Sequence, residues 1–232
     1  MSIVLYDLKR TRDSSEANPW SPNTWKIRFL MNIKGLDYTT KYLHFLDIPQ
    51  VIGELVPQGL RCVPCITDVD GESIQDSKKI ALYLEQKYPS PSIFHGGAGI
   101  HFFFDDWSMQ NIVFLPFRMT ILKLFHELDE EAQVYYRKSR ESVFKQSLED
   151  YAGDSEEHLQ ALNKQLALIA KSLAKYDYLT GDEPGWADIC LASYIIMLEK
   201  FDPETFYNRM INQDQNLVAW WNRMKMYADY SH

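Results

Sequence analysis

The period of the hydrophobic positions changes as the chain is followed from its start. Ile3-Val4-Leu5-Tyr6 is an unbroken apolar run and predicts a buried first strand. A polar stretch from Lys9 to Asn18 follows, long for such a connection, and predicts an excursion over the surface. The period then becomes helical: Trp25, Phe29 and Ile33 recur at i, i+4 and i+8, with Ile27, Leu30 and Met31 beside them and Gly35 as the closing C′ residue. Tyr38 to Leu43 predicts a second strand, Ile48 to Leu55 a short helix, and Val63 to Val69 a third strand. Asp70-Gly71 predicts a tight hairpin turn into a fourth strand, Glu72 to Gln75. Asp76 and Ser77 open another helix, with Ile80, Leu82 or Tyr83, and Leu84 turned inward, and Pro89-Ser90-Pro91 ends it. Residues 1–90 therefore read β-α-β-α-β-β-α, a compact α/β unit.

Beyond a linker over 91–98 that contains Gly96-Gly97, strand pairs disappear and only helical periodicity remains. Phe102 to His126 predicts one long helix bent at Pro116, and Asp129 to Asp150 and Ser155 to Tyr176 predict two more. Asp188 to Leu198, Pro203 to Ile211 and Asn216 to Tyr230 complete an all-helical region over 99–232. No internal repeat or low-complexity segment interrupts it.

Composition narrows the functional classes. The formal net charge is −8 and no basic run occurs, which argues against nucleic acid as a partner, since phosphate binding needs clustered Lys and Arg. No apolar run approaches a membrane span, and Met1 to Leu8 lacks the basic start and apolar stretch of a signal peptide. Three cysteines, Cys62, Cys65 and Cys190, are too few for a disulfide framework, so a reducing, cytoplasmic setting is expected. Cys62-Val63-Pro64-Cys65 has redox spacing, but on a strand the two thiols face opposite ways, and both are taken as structural. The histidines, His44, His95, His101, His126, His158 and His232, show no metal-ligand spacing, and no metal is expected.

The candidate chemistry begins at Trp20-Ser21-Pro22-Asn23-Thr24-Trp25-Lys26. Ser21 is an N-cap candidate whose hydroxyl accepts from a backbone N–H two or three residues on, and Pro22 suits the first helical position. A helix starting there aims free N–H groups and a partial positive charge at whatever lies before Ser21. Three further motifs accompany it: Val63-Pro64 at the third strand, Asp76-Ser77 at a helix start, and Leu179-Thr180-Gly181-Asp182-Glu183-Pro184 leading to Ala187-Asp188-Ile189.

These four motifs and the α/β-then-helical layout resemble the cytosolic glutathione transferases over nearly the whole chain. Within that family, the Tyr6-Asp7-Leu8 strand end and the Ser21 motif look most like the serine-type, fungal etherase-related members. The resemblance implies a thioredoxin-like α/β N-terminal domain (1–90) that binds glutathione. After the linker (91–98) it implies an all-α C-terminal domain (99–232) that contributes an electrophile pocket. It implies that Pro64 is cis, that the Val63 backbone pairs with the cysteinyl group of glutathione, and that Asp76 and Ser77 hold its γ-glutamyl end. Arg61, Lys41 and Gln58 are candidates for the glycyl carboxylate. A homodimer is expected on the same ground.

The implied reaction is thiolate attack on a hydrophobic or aromatic electrophile, aryl-ether cleavage included. A free thiol near pKa 8.5–9 is only a few per cent ionised at neutral pH, and lowering that value by about two units takes roughly 2.7 kcal/mol. A charge-assisted hydrogen bond from the Ser21 hydroxyl is worth about 1.5–3 kcal/mol and a helix start about 0.3–2 kcal/mol, so the two suffice. Asn23 is a second donor to the sulfur; Tyr6 and Thr24 are rivals, with Tyr6 favoured for packing. Trp20, Phe103, Phe104, Trp107, Phe114 and Phe117 are nominated for the electrophile pocket, against the alternative that they are core. Gly185 stands where the family's folding motif usually has Ser or Thr. A ligand-binding or interaction protein with a vestigial thiol site is the competing function.

Overall fold

A computed structural model describes residues 2–13 and 18–231. Of the expected features, part of the Lys9–Asn18 excursion and His232 lie outside the described residues. The first half contains β1 (Ile3–Lys9), α1 (Pro22–Lys34), β2 (Tyr38–His44), α2 (Ile48–Leu55), β3 (Cys65–Thr67), β4 (Ser73–Gln75) and α3 (Ser77–Lys87). The strands form one mixed sheet in the order β2-β1-β3-β4, with β1 and β2 parallel and β3 antiparallel to both of its neighbours. This is a thioredoxin-like arrangement. Strand alternation sorts its side chains: Ile3, Leu5 and Ile66 join the main core with α1 and α3, while Tyr6, Leu43 and Cys65 pack with Ile48 and Ile52 of α2.

Helix α1 ends as expected, at Gly35 in the left-handed region (φ 63°), which glycine adopts without strain. In α3 the inward residues are Ile80, Ala81 and Leu84; Leu82 is exposed and Tyr83 half-buried. The third strand is shorter than its apolar run, because Val63 and Pro64 stand outside the ladder.

The second half holds α4 (Ala98–Asn111), α5 (Phe114–Glu127), α6 (Glu130–Phe144), α7 (Leu148–Ala152), α8 (Ser155–Leu173), α9 (Trp186–Phe201) and α10 (Gln215–Lys225). A π-helical turn over Thr205–Met210 and a 3₁₀ turn over Ile211–Gln213 precede α10. The single long helix expected over 102–126 is two helices, broken at Ile112 and not at Pro116. A proline lacks the N–H for the carbonyl four residues earlier, and its ring clashes with that carbonyl, so the break falls one turn upstream. The Ile112 carbonyl instead accepts from Leu115 N–H at 3.0 Å. The helix expected over 129–150 is likewise two, divided where Lys145 turns left-handed (φ 58°) and Ser147 caps α7 with its side chain. The last helix stops at Lys225, short of Tyr230.

Helix α9 is the axis of the molecule. From Trp186 to Leu198 every residue is buried, and α9 packs against α1, α4 and α5. Its start is secured by Asp188, 0% exposed, which accepts from Leu179 N–H (2.8 Å), Trp220 Nε1 (2.9 Å) and Gly185 N–H (3.2 Å), with the Thr180 hydroxyl 3.0 Å away. His101 of α4 completes that start: its Nδ1 accepts from Ala187 N–H at 3.3 Å and its Nε2 meets the His95 carbonyl at 2.9 Å. Burial holds the His101 pKa below its ordinary value, which suits the neutral ring this geometry needs. The absence of Ser or Thr at 185 now has a reason. A Cβ there would stand 2.7 Å from His101 Cε1 and 3.0 Å from Thr180 Cγ2, so His101 occupies the space of a cap side chain and supplies a cap acceptor.

Candidate active site

Sheet register brings three separate segments to one end of the sheet. Tyr6 lies opposite Cys65, and Cys65 opposite Gln75. The exit of β1, the entry to β3 at Pro64 and the exit of β4 at Asp76 therefore share an edge. Asp76 N–H donates to the Pro64 carbonyl at 3.3 Å, and the Val63-Pro64 peptide is cis. Ser21 follows the loop that leaves this same end of β1.

Ser21 holds the N-cap position of α1 with extended backbone (φ −65°, ψ 120°), but its hydroxyl makes no cap bond, contrary to the expectation from sequence. The Thr24 hydroxyl and Trp25 N–H both donate to the Ser21 carbonyl, each at 3.0 Å, and Pro22 removes one orphan donor. The N–H groups of Asn23 and Thr24 are left without a side-chain cap, and the Ser21 hydroxyl, on a residue 9% exposed, is not committed to its own helix. An anion placed before Ser21 meets those N–H groups, the helix dipole and the hydroxyl together.

The other two segments supply complementary groups. The Val63 backbone N–H and C=O have no hydrogen-bond partner among the described residues, so an extended peptide can pair with them. Asp76 has a strained backbone (φ 88°), and its Oδ1 accepts from Lys78 N–H (3.0 Å) and Lys79 N–H (3.1 Å). It caps the helix it was expected to open and keeps Oδ2 for a cation. Ser77, 9% exposed, is the first residue of α3.

Gln75 was missed from sequence. Buried at the end of β4, it accepts from Leu60 N–H and donates to Cys62 Sγ, both at 3.1 Å, and so pins the segment leading to Val63. Its signal was a polar residue at an inward strand position. Lys26 and Arg28 were missed in the same way: both are buried on α1, Arg28 paired with Asp7 at 3.0 Å and Lys26 with Asp105 at 3.1 Å. Cys62 and Cys65 are free; burial and the Asp76 charge push the Cys62 thiol up, and burial with Cys62 nearby pushes Cys65 to about 12.

The remaining candidates divide. Asn23 is exposed on the first turn of α1. Lys41 extends over the Tyr6 ring at 5.8 Å, Arg61 donates to the Pro49 carbonyl at 3.3 Å, and Gln58 is exposed in the loop between α2 and β3. Arg61 thus lies against the start of α2. The Tyr6 hydroxyl meets Thr67 Oγ1 at 3.4 Å within the α2 cluster, a packing position.

The six aromatics nominated for one electrophile pocket do not form one. Phe103, Phe104 and Trp107 line a cavity of about 690 Å³ between α4, α8 and the 179–187 segment, and none of its lining residues belongs to the Ser21, Val63 or Ser77 segments. Phe114 borders a different cavity of about 600 Å³ with Arg118 and Tyr151. Trp20 is buried against Phe45 with the Arg10 guanidinium 4.5 Å from its ring centre, and Phe117 packs on the same cluster. Helical spacing fixed which faces these aromatics share, but not which neighbouring helix each face would meet. Among the described residues, no three His, Cys, Asp or Glu side chains are grouped as metal ligands would be, and no helix is long and apolar enough to cross a membrane.

Residues 20–87 match the family described as glutathione S-transferase, N-terminal domain, and residues 99–227 match glutathione S-transferase, C-terminal domain. A glutathione S-transferase-like protein of Aspergillus flavus, ustS, is 24% identical over 228 residues, covering 88% of this chain and 83% of its own. The crystal structure of glutathione transferase GSTFuA3 from Phanerochaete chrysosporium superposes with a TM-score of 0.87 at 27% identity, covering 100% of this chain and 99% of its own. A glutathione S-transferase of Ceriporiopsis subvermispora, solved in complex with glutathione, gives a TM-score of 0.84 at 25% identity, with 99% of each chain covered.

Proposed function

Since the chain belongs to the glutathione S-transferase family, we propose that it activates glutathione with Ser21 at the start of α1 for attack on hydrophobic or aromatic electrophiles. The single observation that carries this reading is the convergence of three sets of polar groups at one sheet end. They are the uncapped start of α1 with the Ser21 hydroxyl, the unpaired Val63 backbone beside cis-Pro64, and Asp76-Ser77 at the start of α3.

In this reading the thiol gives its proton to solvent water and the thiolate accepts hydrogen bonds from Ser21 Oγ and the α1 N–H groups, with Asn23 as a second donor. Ser21 stays a donor throughout and forms no covalent bond. The cysteinyl backbone pairs with Val63, the γ-glutamyl carboxylate meets the hydroxyl and N–H of Ser77, and its ammonium meets Asp76 Oδ2, since Oδ1 is held by the Lys78 and Lys79 N–H groups. Lys41, Arg61 and Gln58 surround the glycyl carboxylate. The sulfur–carbon bond forms as the leaving group departs, chloride from a chlorinated arene or an aryloxide from an aryl ether; an isothiocyanate expels nothing and takes a proton on nitrogen as sulfur adds to its carbon. We also propose the division into a glutathione-binding domain (1–90), a linker (91–98) and a helical domain (99–232), a homodimeric assembly and a cytoplasmic location.

Turnover of a chlorinated arene, an isothiocyanate and a β-aryl ether with glutathione tests the reading. Ser21→Ala is expected to lower the rate about tenfold or more, the loss of one charge-assisted donor; undiminished turnover removes Ser21 from its role. The competing ligand-carrying reading draws on the apolar cavity of about 690 Å³ lined by Phe103, Phe104 and Trp107. Ligand binding that ignores glutathione, with no turnover on that panel, would favour it.

A further inference from the structure

One buried carboxylate connects the two helices whose starts form the site. Asp105 of α4 is 1% exposed and has no place in the thiol chemistry. Its Oδ1 accepts from Lys26 Nζ of α1 at 3.1 Å and from the Tyr194 hydroxyl of α9 at 2.5 Å, and Lys26 also donates to the Tyr194 oxygen at 2.7 Å. Lys26, five positions after Ser21, is itself 2% exposed. Asp105 Oδ2 is buried without a hydrogen-bond partner and faces Lys78 Nζ at 3.6 Å. Lys78 follows Ser77 in α3 and is anchored by Asp106 at 2.5 Å. A single carboxylate thus meets one cation from the Ser21 helix and one from the Ser77 helix.

Burial by itself would raise the Asp105 pKa. The Lys26 charge and hydrogen bonds from Tyr194 and Lys26 outweigh it and hold the group below its ordinary value, so it is charged at neutral pH. A buried ion pair is a weak source of stability compared with packed apolar side chains, but its directional contacts specify one relative placement of the elements it joins. The placement it specifies here is that of two helix starts against α4 and α9.

Resting on the function proposed above, we propose that Asp105 is a positioning residue of the glutathione site. Through Lys26 it sets the position of α1 and so of the Ser21 hydroxyl. Through Lys78 it sets the start of α3 and so of Ser77. The two arms have separable consequences, because Ser21 acts on the sulfur and Ser77 on the γ-glutamyl end. The first arm governs thiol acidity and kcat, the second governs affinity for glutathione.

The experiment compares Lys26→Met, Lys78→Met and Asp105→Asn with the parent by three measurements. They are ultraviolet titration of the bound thiolate, kcat and KM for glutathione, and amide exchange of residues 21–26 and 77–80 in the unliganded protein. Lys26→Met is expected to raise the bound thiol's pKa by about one unit and to lower kcat at neutral pH about fivefold, with KM within about twofold of the parent. Lys78→Met is expected to raise KM about threefold to tenfold with the thiol's acidity unmoved. Asp105→Asn is expected to do both and to speed exchange in both segments. Unchanged exchange in both segments of Asp105→Asn, or the same kinetic change from both lysine variants, overturns the proposal. Faster exchange in a protein whose parent neither binds nor turns over glutathione would sink the proposed function and leave the positioning role standing. If Asp105→Asn does not fold, Lys78→Met decides alone, since its side chain is 39% exposed and tolerates truncation; an unchanged KM there refutes the proposal.

Discussion

Helices α1 and α9 both open where a capping side chain is expected, at Ser21 and Gly185, and they treat their free N–H groups in opposite ways. At Gly185 the chain has no side chain to offer, yet the start of α9 is closed by Asp188 and by His101 from α4. At Ser21 the chain has a good capping residue, yet the hydroxyl makes no cap bond and Pro22 removes a donor. Both starts descend from one physical fact, that a helix leaves its first N–H groups without partners. Where those groups are closed by the protein, the helix start serves folding. Where they are left open at a sheet end beside other unpaired groups, it is available to a ligand.

The largest expected effect follows from opening the closed start. Asp188→Ala would strand the Leu179, Gly185 and Trp220 donors around a 0% exposed site and is expected to lose about 3–5 kcal/mol, read by urea or thermal unfolding. A smaller loss, about 1–3 kcal/mol, is expected for Gly185→Ala, whose Cβ would collide with His101 and Thr180. Combining it with His101→Ala should give less than the sum of the single losses, because the collision and the cap acceptor are both His101. Additive losses would show that His101 does not set the residue at 185.

Much of the open start was legible in sequence, and little of the closed one. Ser21-Pro22, Gly35, the Asp70-Gly71 turn and the strand runs are local signals, and they placed α1 and the order of the elements along the chain, while the strand order β2-β1-β3-β4 had no local signal. His101 stands 86 residues before Ala187, its N–H partner, and nothing local announces that pairing. The same limit separated Phe103, Phe104 and Trp107 from Trp20, Phe114 and Phe117. Their spacing told which of them share a helix face and left open whether that face would meet α8 or the cluster around Phe45 and Phe125. Pro116 locally predicts a bend at its own position, whereas its steric effect falls on Ile112.

Ser21→Ala separates the two starts by the property that changes. With no cap bond to lose, the variant is expected to unfold within about 0.5 kcal/mol of the parent, below the usual loss for an N-cap serine. Its turnover with glutathione should nevertheless fall about tenfold, equal to about 1.4 kcal/mol. A stability loss of a full N-cap together with unchanged turnover would assign Ser21 to folding and make the two starts alike.

Acid should distinguish them more gently. Burial lowers the His101 pKa, so between the ordinary histidine value and that lower one the unfolded chain binds a proton that the folded chain does not. The stability His101 contributes is complete above about pH 6.5 and declines as the pH falls toward its folded value, by no more than about 1.4 kcal/mol per pH unit. Glutamine at 101 retains an acceptor for Ala187 and a donor for His95 but does not titrate. The parent should therefore lose more stability than His101→Gln between pH 7.5 and 5.5, measured as the difference in unfolding free energy at each pH. The α1 start has no such group of its own. Over the same range acid should weaken it only in the presence of glutathione, by returning the proton to the sulfur. Identical slopes for parent and His101→Gln would mean that α9 does not depend on a neutral ring at its start.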